Sequence, residues 1–289
     1  MRRRRGRKWV RLAKRIASHA VLIVAVLFAL FPVYFIAITS FSKIPIASIT
    51  AQVLIPKMSQ LTLASYHAAL YGQYPTFGML LENSLIFAGS AAAIGMALAA
   101  FTGFALSKFN FPGRRSFVYF ILIISLFPSF LLIIPYYFMF AKLGLIDSYP
   151  GLIIPYSAGA VVFSGILVKN YMDSIPDDIE EAALVDGLGR TGAFFRVLLP
   201  LCYPVLGLAA FLAFVGPYTD YALAHVFITS SGKETLALNL YSIATTDTGA
   251  SNYGVVTAFA IVMSLPIVVF YIAFQRYIIG GLTLGAVRG

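Results

Sequence analysis

Residues 173–200 read DSIPDDIEEAALVDGLGRTGAFFRVLLP, a concentration of charge in a chain that otherwise avoids it. Ser148 to Val168 precede this stretch, and Val197 to Thr219 overlap its end and continue beyond it, both without Asp, Glu, Lys or Arg. Outward from there the pattern repeats in Ile16 to Ser42, Asn83 to Ser107, Ser116 to Ala141 and Thr248 to Gln275, so that six uncharged runs hold 21 to 28 residues each. About 20 apolar residues suffice for a helix to cross the hydrocarbon core. A seventh run, Met58 to Leu81, is interrupted by Gln60, His67, Gly72, Gln73 and Pro75 and reads as extramembrane, with a short helix around Ser65 to Leu70. Composition agrees: 60% of the 289 residues are hydrophobic and 11% charged, against about 45–50% and 25% in soluble domains. Open strands leave backbone groups unpaired in lipid, so the spans must be helices. The expectation is an all-α membrane protein with six transmembrane helices, at about 16–42, 79–107, 116–141, 148–170, 201–228 and 252–278, between a basic tail 1–15 and a tail 281–289.

The basic residues orient these spans. Nine fall in the first fifteen positions: Arg2 to Arg5, Arg7, Lys8, Arg11, Lys14 and Arg15. The apolar run after them is too long for a signal-peptide core and lacks a small-residue cleavage site, so it reads as a retained helix. Lys108, Arg114, Arg115, Lys169, Arg190, Arg196, Arg276 and Arg288 fall on the same side of a six-span chain, with Lys43, Lys57, Lys142 and Lys233 opposite. Positive charge marks the cytoplasmic side, which places both termini there in a cell-membrane protein and residues 43–78, 142–148 and about 229–250 outside. The net charge of +10 is then an orientation signal: without the first nine basic residues, 12 Lys and Arg face 11 Asp and Glu. No nucleic-acid patch is implied.

Several chemistries are excluded. One cysteine, Cys202, and three scattered histidines, His19, His67 and His225, provide no disulfide framework or metal cluster. A nucleotide-binding loop is missing, since Gly232-Lys233 is followed by Glu234 and Phe227 occupies the first glycine position. No nucleophile with a partnered base emerges, so the chain is expected to be non-catalytic. Asp220 has two readings: an acid inside the fifth span that lines a pathway or closes a gate, alone or with Tyr218, or an acid at the outer water boundary near Tyr218 and Tyr221. An ion-coupled carrier would have to rely on that single acid. Ala91, Gly95, Ala99, Gly103 and Ser107 form a small-residue stripe for close helix packing. Pro32, Pro128, Pro135, Pro155, Pro204 and Pro266 lie within spans, as hinges or as ordinary membrane-helix prolines.

Within 173–200, Ser174 and Asp177 have capping-box spacing, and Asp177, Asp178, Glu180 and Glu181 suit the positive end of a helix. Ala182 to Val185 continue that helix and Gly187 ends it. Thr191 is placed to cap a second short helix carrying Phe194, Phe195, Val197 and Leu198, with Pro200 at the bend into the next span. A short amphipathic helix of this kind serves either as a plug for a groove on another protein or as a connecting loop.

The run Glu181-Ala182-Ala183, three residues, Gly187, nine residues, Val197, one residue, Leu199-Pro200 resembles the EAA loop of permease subunits from binding-protein-dependent ABC importers, with valine where isoleucine is usual. Tyr218 to Tyr221, Gln275-Arg276-Tyr277, Gly280 to Gly289 and Lys108 to Arg114 are similar to the maltose-type sugar permeases, specifically the smaller six-span member of the permease pair, so the resemblance covers nearly the whole chain. It implies the type I importer permease fold, a coupling helix over Glu181 to Gly187 seated in a cleft of a cytoplasmic ATPase, and Glu181 pairing a basic group there. ATP and Mg would be bound by two ATPase copies, with no cofactor on this chain. The other implied partners are a second permease forming a heterodimer and an extracytoplasmic sugar-binding protein, whose cleft the loop Thr229 to Gly254 would enter. The tail Leu282 to Gly289, with Gly285, Val287, Arg288 and Gly289, would reach between the ATPases as an extended peptide. The family also implies that the sugar is held mainly by the partner permease; Tyr136, Tyr137, Tyr156 and Tyr218 read either as core or interface-belt aromatics or as a ring that stacks on a sugar. Maltose, maltodextrin or a related oligosaccharide leads as cargo, followed by trehalose, other sugars and glycerol phosphate.

Overall fold

The computed structural model describes residues 2–42, 59, 61–72, 75–246 and 253–286. The chain divides into two compact units, Met1–Gly72 with Ile243–Val262, and Gln73–Ser242 with Met263–Gly289.

In the first unit, α1 (Arg2–Ser40) runs from the basic segment through the first apolar run without a break. Lys14 through Tyr34 are exposed all round, as lipid-facing helices are. Helix α2 (Ala64–Tyr71) is the short helix expected near Ser65 to Leu70. The Ser40 hydroxyl meets the Tyr66 hydroxyl at 2.8 Å, and the Phe41 and Tyr66 rings lie 5.0 Å apart. Gly254 lies so close that a Cβ there would be 2.6 Å from Ser65 Oγ.

The second unit is organised by α3 (Phe77–Lys108), which packs along its length on α6 (Tyr149–Met172) and, with α6, on α10 (Tyr203–Thr219). The small-residue stripe makes this possible. A Cβ on Gly95 would sit 2.6 Å from Ala160 Cβ, and one on Gly103 would sit 2.6 Å from Val168 Cγ1. Both helices match the expected spans to within two residues.

Two expected spans are broken. The third consists of α4 (Arg114–Ser125), a tight turn at Ser129–Leu132 and α5 (Ile133–Lys142), and its halves meet at 93°. Pro128, extended at ψ 117°, begins the break. The fifth begins earlier than expected: after the separate α7 (Asp177–Val185) come α8 (Arg190–Ala193), a widened π turn at Phe194–Leu198 and α9 (Leu199–Leu201), and the run from Arg190 bends by 76° at Cys202 before α10. Pro204 causes that bend: it has no N–H for the Pro200 carbonyl, and its ring crowds that carbonyl. Instead of reaching residue 228, α10 stops at Thr219, Asp220 is extended, and α11 (Ala222–Phe227) starts separately. Only Pro128 and Pro204 among the six span prolines lie at bends. After a turn at Ser231–Lys233 and α12 (Leu236–Thr245), the last helix α13 (Tyr253–Ala286) continues past the expected end at 278. The tail is therefore helical through Ala286 rather than extended, because glycines cost a helix only about 1 kcal/mol each and no proline interrupts it. Val287, Arg288 and Gly289 lie outside the described residues, as does 247–252 of the Thr229 to Gly254 loop.

Candidate functional site

The 173–200 loop folds as a helical hairpin at the joined ends of α3 and α6. Ser174 does not cap α7: its hydroxyl donates to Tyr171 O at 2.6 Å, finishing α6, and Pro176 precedes the first helical residue. The acids of the first turn therefore face the helix dipole without a side-chain cap. The other end of α7 closes as expected. Gly187 takes φ +87°, its N–H donates to Leu184 O at 3.1 Å, and Leu188 N–H donates to Ala183 O at 3.0 Å, a paired closure that satisfies the last carbonyls. Thr191 does not cap α8, which starts after an extended Gly189 whose carbonyl accepts from Ala193 N–H.

The motif residues divide by exposure. Ala183 is buried where α7 packs on α8 and the π turn, while Glu181 and Ala182 are exposed. Val185, at 87% exposure, and Ile179 lie uncovered on the same short helix. Val197, Leu199 and Pro200 are half-buried and belong to the foundation: between them Leu198 and Phe194 enter a core with Phe104, Val168, Met172 and Val205.

Lys108, which the sequence marked as an orienting charge and as the start of a family-like segment but not as a partner of the hairpin, ties this hairpin to α3. Its side chain is 6% exposed, and its ammonium lies 2.6 Å from Asp177 Oδ1 and 3.6 Å from Glu180 Oε2 in the first turn of α7. The hydrogen bond and charge of Lys108 hold the Asp177 carboxyl below its ordinary range. Next to it, the Ser107 hydroxyl donates to Asp173 Oδ1 at 2.7 Å, Lys169 pairs with Asp173, and Arg114 donates to Ser107 O at 3.0 Å. The Arg190 guanidinium lies 5.2 Å from the Phe109 ring centre. The Lys108 to Arg114 segment and the EAA segment are thus one structure.

A second polar centre, also missed from sequence, joins the α5–α6 connection to the segment after α11. Asp147 adopts φ +57°, and its N–H donates to Phe227 O. Its carboxylate accepts from Thr229 N–H, Ser230 N–H, the Ser230 hydroxyl and Lys233. Burial raises its pKa, but these bonds outweigh burial and hold the carboxyl at about 2. Nearby, Asn83 donates to the Gly232 and Glu234 carbonyls and accepts from the Tyr149 hydroxyl.

The two residues considered for a pathway separate. Tyr218 is core: it is 1% exposed and its hydroxyl donates to Met263 O. Asp220 starts α11, accepting from Ala222 and Leu223 N–H and from the Tyr156 hydroxyl at 2.8 Å, and it lines a cavity with Tyr136 and Tyr156. Tyr137 lies outside that lining. Among the described residues no group of three or more His, Cys, Asp or Glu is placed to hold a metal ion.

Apolar helices long enough to cross a membrane, with one charged hairpin clamped to the ends of two of them, fit a multi-pass membrane protein. The chain belongs to the family described as the binding-protein-dependent transport system inner membrane component, which matches residues 91–283 and so takes in the hairpin and its foundation. It is similar to the trehalose transport system permease protein SugB of Mycobacterium tuberculosis (strain CDC 1551 / Oshkosh), 34% identical over 96% of this chain and 99% of the relative. The diacetylchitobiose uptake system permease protein NgcG of Streptomyces coelicolor is 31% identical over 94% of this chain and 88% of its own. The fold is shared with a chain from the crystal structure of a bacterial ABC transporter involved in the import of the acidic polysaccharide alginate, with a TM-score of 0.78, 24% identity and coverage of 91% and 95%.

Proposed function

We propose that this chain is the non-catalytic permease subunit of an ATP-driven importer that carries a sugar from an external binding protein into the cytoplasm. In this reading it pairs with a second permease and two copies of an ATPase subunit, which bind ATP and Mg. Both termini face the cytoplasm, in keeping with the basic residues that surround the hairpin. The supporting observation is the exposed ridge of Glu181, Ala182 and Val185 on a short helix secured at both ends, by the Lys108 clamp and by the Gly187 closure. Such a helix moves as a solid piece. When the ATPases close, α7 carries α3 through Lys108 and α10 through the π turn, so nucleotide-driven motion reaches the spans. The tail 281–289 contacts the ATPases, and the segment after Thr229 faces the binding protein. A sugar cargo is supported by the similarity to permeases for trehalose and diacetylchitobiose; which sugar is carried follows from the partners.

Reversing the charge at Glu181 tests the coupling role. In Glu181→Lys, uptake is expected to fall to background while the chain still inserts, and the ATPase no longer co-purifies. Full uptake with intact ATPase association would overturn the assignment.

A further inference from the structure

The third-span break and the gap between α10 and α11, both in the second unit, open onto one cavity of about 650 Å³. Its wall includes Ser129 and Tyr136 from the third-span break, Tyr156 from α6, and Thr219, Asp220 and Tyr221 from the gap between α10 and α11. The volume lies within the roughly 300–1,000 Å³ typical of small-molecule sites. Its depth follows from α6, which is 24 residues long. At about 1.5 Å per residue, Tyr156 lies roughly 10 Å along that helix from Tyr149, and Gly159 and Ala160, which also line the cavity, lie near its middle. Polar groups and non-helical backbone at that depth are costly against lipid and persist where they face a polar interior.

The wall is equipped for a polyhydroxylated ligand. The hydroxyls of Ser129, Tyr136 and Tyr221 have no protein hydrogen-bond partner among the described residues. The Asp220 carboxylate, with about four acceptor positions, receives three protein hydrogen bonds and keeps acceptor capacity. The Thr219 hydroxyl donates back to Val215 O, which leaves its oxygen free to accept. Tyr221 is 44% exposed and is held in place by stacking on Tyr241, with ring centres 4.6 Å apart and planes at 16°. Ring faces beside hydroxyls and a carboxylate suit a pyranose, whose C–H face is apolar and whose edge is hydroxylated. Among the described residues Asp220 is the only charged member of the lining, with no lysine, arginine or histidine beside it.

We infer that this chain carries its own subsite for a glycosyl unit of a neutral saccharide, built on Tyr136, Tyr156, Asp220 and Tyr221, with the Asp220 charge disfavouring acidic sugars. The inference rests on the importer reading and adds that this subunit, and not the partner permease alone, touches the cargo.

The test uses the complete importer in proteoliposomes with saturating binding protein. Labelled trehalose and maltotriose serve as neutral probes and a glucuronic-acid disaccharide as the acidic one. Tyr136→Leu and Tyr221→Leu should each move about tenfold less neutral sugar per ATP hydrolysed, the loss of roughly 1.4 kcal/mol of ring contact. Binding-protein-stimulated ATP hydrolysis should stay within about twofold of the unsubstituted complex, whereas general damage lowers both. Tyr136→Phe, which keeps the ring, should recover most of the loss. Asp220→Asn keeps acceptors for the α11 start and should narrow the preference for neutral over acidic sugar. Because Tyr221 is exposed, its variant reports even if Tyr136→Leu fails to assemble. Unchanged sugar per ATP in the Tyr221 variant, with normal uptake in the unsubstituted importer, overturns the subsite and leaves the importer reading standing. No saccharide uptake by the unsubstituted importer overturns both.

Discussion

Two lysine–aspartate pairs hold segments of the second unit together, and they are built in opposite senses. At the hairpin the cation is the buried partner: Lys108 is 6% exposed, Asp177 is 81% exposed and Glu180 is 14% exposed. At the α5–α6 connection the carboxylate is the hub, receiving two backbone N–H groups and a hydroxyl besides Lys233, and both partners are about one-third exposed or less. Bonds from Asp147 to backbone fix the path of the chain, so that centre is an anchor. Lys108 reaches only side chains at one helix end, so it links two elements that can move together. One end of the unit is tied down and the other is jointed, which suits a subunit driven from the hairpin.

Removing each hub should separate these roles. The largest effect is expected for Asp147→Ala, which abandons several part-buried donors at once and should cost about 2–3 kcal/mol. The thermal midpoint of the detergent-purified chain measures it, with Asp147→Asn losing less because asparagine still accepts and tolerates positive φ. A midpoint unchanged by Asp147→Ala would remove the anchor from the comparison. Next, Lys108→Met leaves Glu180 without its cation and should lower uptake about tenfold, equivalent to roughly 1.4 kcal/mol. Its thermal midpoint should shift less than that of Asp147→Ala, and Lys108→Arg should restore part of the uptake. Equal loss of stability in the two variants would mean that Lys108 is a second anchor.

Acid provides a smaller test. The Asp147 carboxyl is held at about 2 against an ordinary 3.8, so its contribution is complete above pH 3.8 and fades as pH falls towards 2. Its size is on the order of 1 kcal/mol after discounting for partial exposure. The unfolding midpoint of the unsubstituted chain should therefore fall more steeply below pH 4 than that of Asp147→Asn. The smallest effect is expected at Gly187→Ala, where a side chain at φ +87° costs about 1 kcal/mol. Uptake should fall severalfold with little change in the midpoint, since the strain sits in an exposed loop.

Some of this was legible residue by residue. The lengths of α3 and α6 followed from uncharged runs, their close approach from Ala91, Gly95, Ala99 and Gly103, and the end of α7 from Gly187, because each depends on neighbours within a turn or two. Ser174 and Thr191 misled because a hydroxyl at cap spacing is also available to the preceding turn, and Ser174 spends its hydroxyl on Tyr171. The broken third and fifth spans were hidden because six prolines looked alike in sequence. Pro155 and Pro266 are carried inside continuous helices, whereas Pro128 and Pro204 stand at bends. Tyr218 and Asp220 are two residues apart but face different surroundings, one the Met263 carbonyl and the other a cavity.

By itself, the sequence determined that lipid is the main solvent of this chain, and it determined the register of the exposed Glu181 ridge, since composition and short-range spacing carry both. The tertiary structure decided which polar groups meet. Lys108 reaches Asp177 across 69 positions and Asp147 reaches Ser230 across 83. Pairings that distant are set by how α3, α6 and α10 pack, because a polar side chain in a largely apolar bundle takes whichever partner the packing brings within about 3 Å.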